Sequence, residues 1–114
     1  MLFDEISFHD AGILEVREDC LTQLLSFVLD MPIDWENNVF EKRLLCFTNA
    51  IFYLRTEIPF QGSPSILQIN TVSPGEHIYK LGPGVAKSAN YKVEINTNAG
   101  TRIIEFDDAQ LLPA

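Results

Sequence analysis

Basic residues are scarce in this sequence. Eight Lys and Arg stand against sixteen Asp and Glu, which leaves a formal net charge of −8. Proteins that bind nucleic acids or anionic membranes neutralise phosphates with clustered Lys and Arg. Only Lys42 and Arg43 are adjacent here. The composition therefore argues against a nucleic-acid partner and against binding to a membrane surface.

Long apolar runs are missing too, since no stretch approaches the roughly 20 apolar residues that a membrane-spanning helix needs. Residues 1–5 are acidic and lack the basic segment that opens a signal peptide. We therefore expect a cytoplasmic protein.

Two cysteines are too few for a disulfide framework. Both Cys20 and Cys46 have apolar neighbours, so we expect buried free thiols.

Motifs for covalent catalysis and for phosphate binding do not occur. No serine lies in a Gly-x-Ser-x-Gly context, and neither cysteine has a nearby histidine or base to lower its pKa. The glycines at 82 and 84 have neither the Walker lysine nor the dinucleotide-binding spacing. These absences favour a protein with no catalytic residues and no cofactor, and they favour a non-enzyme over an enzyme without deciding between them.

What the sequence does contain is an uneven distribution of charge. Residues 1–41 hold ten carboxylates and one base, Arg17, a net charge of −9, whereas residues 42–114 hold six acids and seven bases. Such an asymmetry sets a field that selects partners. It predicts an acidic surface, formed by the first third of the chain, that attracts a basic partner.

Alternation of apolar and polar residues dominates the pattern, and it predicts strands. The clearest hairpin covers residues 91–107, in which Val93 and Ile95 share a face, as do Ile104 and Phe106. Segment 21–29 also fits helical spacing, but apolar residues at both alternate sets favour a buried strand. Pro32 is expected to end that strand. The predicted strands are 12–18, 21–29, 39–49, 50–58, 66–72, 76–81, 91–97 and 101–107.

Eight short strands separated by turn residues are typical of an all-β protein, either an antiparallel β-sandwich or a flattened barrel. At 114 residues the chain is expected to form a single domain, 1–114. The unpaired edges of such sheets also allow a homodimer by edge pairing.

The single tryptophan lies in a polar loop, 34–38, between two predicted strands. Acids flank Trp35 on both sides, and an exposed aromatic among carboxylates has the composition of a hot spot for a basic protein. The alternative is that Trp35 folds back and caps the core. The residues predicted to bind the partner are Asp34, Trp35, Glu36 and Glu41.

Two other functions stay open at this point. A small-ligand module, for a sugar or an apolar metabolite, would use an aromatic pocket at one end of the sandwich; its candidate residues are Phe52, Tyr53, Tyr79 and Tyr91. A metal-dependent site would need folding to bring His9 and Asp10 to His77. Their spacing carries no metal-binding signature, and a turn capped by Asp10 accounts for the first pair.

The segment Phe8-His9-Asp10-Ala11-Gly12-Ile13-Leu14-Glu15-Val16, the Trp-bearing loop and the segment Leu44-Leu45-Cys46-Phe47-Thr48-Asn49-Ala50 resemble small bacterial β-sandwich families of unknown function. Some of these families resemble the immunity proteins that accompany secreted toxins. The resemblance covers the first half of the chain. It implies a non-enzymatic, single-domain cytoplasmic protein of the acidic kind that is common in these families, and it implies no binding residues.

Overall fold

The computed structural model describes residues 2–59 and 61–114, apart from the side chains of residues 73, 78–82 and 85–87. Within this part of the chain one short helix precedes ten strands. The elements are α1 (Leu2–Glu5), β1 (Gly12–Asp19), β2 (Leu24–Asp34), β3 (Val39–Thr48), β4 (Phe52–Glu57), β5 (Ile66–Ser73), β6 (Ile78–Gly82), β7 (Val85–Ser88), β8 (Tyr91–Thr97), β9 (Gly100–Phe106) and β10 (Asp108–Pro113). No helix in the described residues has the length and apolar content to span a membrane.

Eight of these strands form two antiparallel four-stranded sheets. Sheet A has the order β1-β2-β3-β10, and sheet B has the order β4-β9-β8-β5. Strands β6 and β7 form a separate two-stranded ribbon. The chain crosses from sheet A to sheet B after β3 and returns after β9. The predicted all-β sandwich is therefore confirmed.

The core lies between the inner faces of the two sheets and is rich in phenylalanine. Phe27, Phe47 and Phe106 are fully buried, and the Phe47 and Phe106 rings lie 4.8 Å apart at 67°. Edge-to-face pairs of this kind add to the hydrophobic stabilisation of burial. Phe3, from α1, packs against Phe47 with ring centroids 6.0 Å apart. The helix thus closes one side of the core.

The segment before β1 ties the two sheets together. The Asp10 amide donates to the Ile66 carbonyl at 2.7 Å, and the Ile66 amide donates to the Ala11 carbonyl at 2.8 Å. Asp10 adopts a φ of 66°, a left-handed conformation that Asp tolerates better than most residues. The predicted turn at Asp10 is therefore present, and its backbone serves to join β5 to the start of β1.

Several sequence predictions were wrong at the ends of elements. Pro32 does not end β2, which continues to Asp34; β1 begins opposite Asp30, so β2 is an edge strand at Pro32 and tolerates the missing N–H. Cys20 is exposed because it lies in the β1–β2 turn, whereas Cys46 is buried as expected. Two strands were not among those predicted: β7, and β10, which covers residues 108–113 and pairs with β3.

Gly100 is required where β9 passes close to β4. Its φ is 152°, and a Cβ there would lie 2.1 Å from the Thr56 carbonyl oxygen and 2.9 Å from the Glu57 Cα. Both neighbours are backbone atoms of a paired strand, so they cannot move away cheaply. We expect Gly100→Ala to lower the free energy of unfolding by at least about 2 kcal/mol in urea titrations.

The matched control for this prediction is Gly62→Ala. Gly62 also has a positive φ, 97°, but a Cβ there meets nothing within 4 Å. Its substitution therefore measures the cost of the backbone conformation without the clash, and we expect a loss of about 1 kcal/mol. Equal losses in the two variants would contradict the role assigned to the close approach of Gly100 to β4.

Candidate functional site

The β2–β3 hairpin extends beyond its neighbours in sheet A. β1 begins at Gly12, opposite Asp30, and β10 ends at Pro113, opposite Arg43. Among the described residues, no further strand pairs with residues 31–42. This segment, called the tip below, is therefore a two-stranded ribbon at one end of an elongated molecule with extents of 55 × 28 × 25 Å.

The turn of the tip is built by short polar side chains. Asp34 accepts hydrogen bonds from the Asn37 side-chain amide at 2.6 Å and from the Asn37 backbone amide at 3.3 Å. These bonds hold the pKa of the Asp34 carboxyl below its usual range. Asn38 then adopts a left-handed φ of 54°, which Asn tolerates. The loop predicted at 34–38 is thus an ordered hairpin turn.

Apolar side chains of the tip face solvent. Trp35 is 58% exposed and Ile33 is 50% exposed, and Val39 is exposed beside them. Trp35 packs edge-on against Phe40, with ring centroids 6.2 Å apart. The alternative in which Trp35 caps the core is therefore wrong. Large exposed side chains at a protruding turn are typical of an interaction surface.

The three predicted carboxylates are all at the tip, but they differ in their contacts. Glu36 is exposed at the turn, and Asp34 caps it. Glu41 pairs with Arg43 at 2.7 Å, so part of its charge is neutralised. The structure thus brings Asp34, Trp35, Glu36 and Glu41 together at one end of the hairpin.

Three of the other N-terminal acids, Glu15, Glu18 and Asp19, lie away from the tip or are paired. Glu18 and Asp19 lie at the far end of β2, opposite Leu25 and Leu24, which is about 33 Å from Asp34 at the rise per residue of a strand. Glu15 pairs with Arg17 at 3.0 Å. The charge excess of the first 41 residues is therefore divided between the two ends of sheet A.

The structure does not bring the predicted metal ligands together. The His9 Nδ1 bonds to the Leu67 carbonyl oxygen at 2.9 Å, and its Nε2 lies 3.5 Å from the Asp10 carboxylate. His77 instead contacts the Glu105 carboxylate, and its ring stacks on the Phe52 ring with the ring centroids 4.0 Å apart. In the described residues, no group of three or more His, Cys, Asp and Glu side chains could hold a metal ion. The described contacts therefore offer no support for a metal site.

Of the candidate aromatics whose side chains the structure describes, two line a cleft together and the third packs elsewhere. Phe52 and Tyr53 line a cleft of about 290 Å³ between the β1–β2 turn and the β3–β4 connection. Tyr91 packs against Phe106 at 5.8 Å between ring centroids. The side chain of Tyr79 lies outside the described residues.

A buried ion pair at one end of the sandwich was not predicted from the sequence. Arg102 donates from Nε and Nη2 to the two Glu57 oxygens, at 3.0 and 2.8 Å, and both side chains are at most 2% exposed. Burial by itself would raise the pKa of Glu57, but hydrogen bonds from Arg102, Thr97 and Arg55 outweigh it and lower that pKa. The alternation of β9 could have predicted the burial of Arg102, because Arg102 lies two and four residues before Ile104 and Phe106 and therefore on the same, inner face of the strand.

Glu105 is a second buried carboxylate, on the outer face of sheet B. It accepts hydrogen bonds from the backbone amides of Glu76 and His77 and from the His77 ring. Burial opposes ionisation of Glu105, but these bonds outweigh it and lower its pKa. Both buried carboxylates are thus fully used in holding the fold.

Comparison of the chain with protein-family models, with curated proteins and with solved structures finds no match. The function must therefore be argued from the chain's own surface.

Proposed function

We propose that this protein is a non-catalytic protein-binding domain, of the immunity-inhibitor type, that docks a basic protein through the tip. The observation that carries the proposal is the exposure of Trp35 on a protruding hairpin. Tryptophan is the residue most enriched at the energetic centres of protein interfaces. The two buried carboxylates, Glu57 and Glu105, are bound to partners within the fold.

The chemistry of the tip supports a basic partner. Ile33, Trp35 and Val39 offer an apolar centre, and Asp34 and Glu36 surround it with negative charge. Complementary charges at the rim steer the encounter, whereas a central aromatic supplies most of the affinity. The partner would therefore present Lys or Arg around an apolar recess that accepts the indole ring.

We further propose that the protein acts in the cytoplasm, that it does not bind nucleic acid or membranes, and that it can form a homodimer by edge pairing. The edge strands are β1 and β10 in sheet A and β4 and β5 in sheet B. A partner bound at the tip would leave these edges free, because the tip projects beyond β1 and β10.

Substitution of Trp35 tests the proposal. A tagged wild-type chain is used to capture a partner from the native host, and the purified pair is then measured by titration calorimetry. We expect Trp35→Ala to weaken binding at least about 30-fold, in line with a hot-spot residue. Glu36→Gln should weaken binding only a few-fold and should flatten its dependence on salt.

Leu54→Ala is the matched control, because Leu54 is an exposed apolar side chain on sheet B, 46% exposed. It should leave the affinity unchanged. The fluorescence of Trp35 is a direct readout, since the chain has one tryptophan: its emission should shift to the blue when the partner covers the indole. A captured partner that binds the Trp35→Ala variant as tightly as wild type, at every salt concentration, would remove the proposal.

A further inference from the structure

The cleft at the other end of β2 contains a carboxylate at a position that should face the core. Glu18 lies directly opposite Leu25 in the β1–β2 register, and the partners of such a pair project from the same face of a sheet. Leu25 is 3% exposed and belongs to the core. By register Glu18 therefore lies on the face of sheet A that turns towards sheet B, but at the end of the strand, where the residue is exposed and lines the cleft.

Nothing in the described part of the chain compensates this charge. Glu18 makes no hydrogen bond and no ion pair there, and the residues that line the cleft include no Lys, Arg or His. The Arg102 guanidinium reaches one lining residue of the cleft, Tyr53, at 3.2 Å from its hydroxyl. Glu57 already holds that guanidinium through two bonds. The electrostatic character of the cleft is therefore set by its acids.

Apart from Asp19 and Gln23, the other residues that line the cleft are apolar or aromatic, and backbone hydrogen bonds hold its walls in place. Ala50, Ile51 and Tyr53 form the wall opposite Glu18. The Ala50 amide donates to the Gln23 carbonyl and the Ile51 amide donates to the Glu105 carbonyl, each at 3.0 Å. One bond ties the β3–β4 connection to the β1–β2 turn, and the other ties it to β9. The two sides of the cleft are thus connected rather than free to move apart.

We propose that this cleft binds a small organic ammonium compound, a primary amine on an apolar body. The ammonium group would pair with Glu18, and the apolar body would pack on Ala50, Ile51 and Tyr53. Asp19 adds negative charge at the rim, although its Oδ1 already accepts the Leu21 amide at 3.0 Å. A volume of about 290 Å³ is at the small end for ligand sites and suits a body of about ten non-hydrogen atoms.

The site is independent of the proposed function, because the cleft and the tip lie at opposite ends of β2. An experiment can therefore refute ligand binding in the cleft without refuting protein binding at the tip, and the reverse also holds. Acids at the tip also provide a control for general attraction of cations to an acidic protein.

The test uses 2-phenylethylamine and its uncharged analogue 2-phenylethanol, followed by nuclear magnetic resonance of backbone amides. We expect the amine to bind with a dissociation constant on the order of 1 mM, as its size allows. The shifted amides should cluster at Gln23, Ile51 and Tyr53, and the Trp35 indole signal should stay unchanged. The alcohol should bind at least about five-fold more weakly, because it cannot pair with a carboxylate.

Glu18→Gln should weaken binding of the amine about three- to tenfold and should leave binding of the alcohol unchanged. Glu36→Gln, which removes the same charge at the tip, should change neither affinity. The proposal is overturned if the amine does not bind, if amine and alcohol bind equally well, if Glu18→Gln binds the amine like wild type, or if the shifts centre on the tip.

Discussion

Glu57→Ala is expected to lower the free energy of unfolding by about 3–5 kcal/mol, because it leaves the Arg102 guanidinium buried without a counter-charge. Glu57 holds this group at 3.0 and 2.8 Å, and the side chains are 0% and 2% exposed. After the substitution Arg102 keeps the Tyr53 hydroxyl and a contact with the Phe27 ring at 5.6 Å. Neither carries a negative charge, so they cannot replace the carboxylate. Urea titration of purified protein measures the loss.

An exposed ion pair in the same chain is the control. Glu15 bonds to Arg17 at 3.0 Å, but these side chains are 54% and 60% exposed. Glu15→Ala should therefore have little effect on the free energy of unfolding. The double variant Glu57→Leu with Arg102→Met should recover much of the loss, since it removes both charges together. Equal costs for Glu57→Ala and Glu15→Ala would show that water, and not Glu57, stabilises the guanidinium.

Phe47→Ala should cost a similar amount, about 3–5 kcal/mol, through the cavity that it leaves. Phe47 is fully buried and its ring contacts three others. The centroid distances are 4.8 Å to Phe106, 5.7 Å to Phe27 and 6.0 Å to Phe3. These rings come from β9, β2 and α1, so the cavity would open where both sheets and the helix meet. Such a site cannot collapse without moving backbone.

The cost of Phe47→Ala approaches the whole stability of a small domain, which is about 5–15 kcal/mol. If that variant does not fold, Phe47→Leu gives a smaller and measurable loss at the same position. Leu21→Ala is the control, because Leu21 is 98% exposed in the β1–β2 turn, and it should change stability by less than about 0.5 kcal/mol. A loss for Phe47→Leu as small as that of Leu21→Ala would mean that the aromatic cluster is not a centre of stability.

The local alternation of apolar and polar residues was sufficient to predict most of the strands. The hairpin at 91–107 was predicted with its faces, and β8 and β9 pair from Tyr91 with Phe106 to Thr97 with Gly100. The turn at 34–38 was predicted from its polar residues. These features depend on neighbours in sequence, because alternation and turn residues act over a few positions.

The pairing of strands that are distant in sequence could not be predicted from local patterns. β10 was not among the predicted strands, but it pairs with β3 some sixty residues earlier, as in Leu111 with Leu45. Pro32 was expected to stop β2, and it is tolerated because β1 ends its pairing at Asp30. In both cases the outcome depends on which strand lies alongside, and alternation does not contain that information.

The sequence by itself determined the class of fold, the acidic balance and the position of Trp35 between two strands, because each follows from composition or short-range periodicity. Only the tertiary structure decided that Trp35 is exposed at a protruding tip, that the acids divide between two ends of sheet A, and that Arg102 meets Glu57. These outcomes depend on the length and register of paired strands. Length and register are determined by packing between side chains that are distant in sequence.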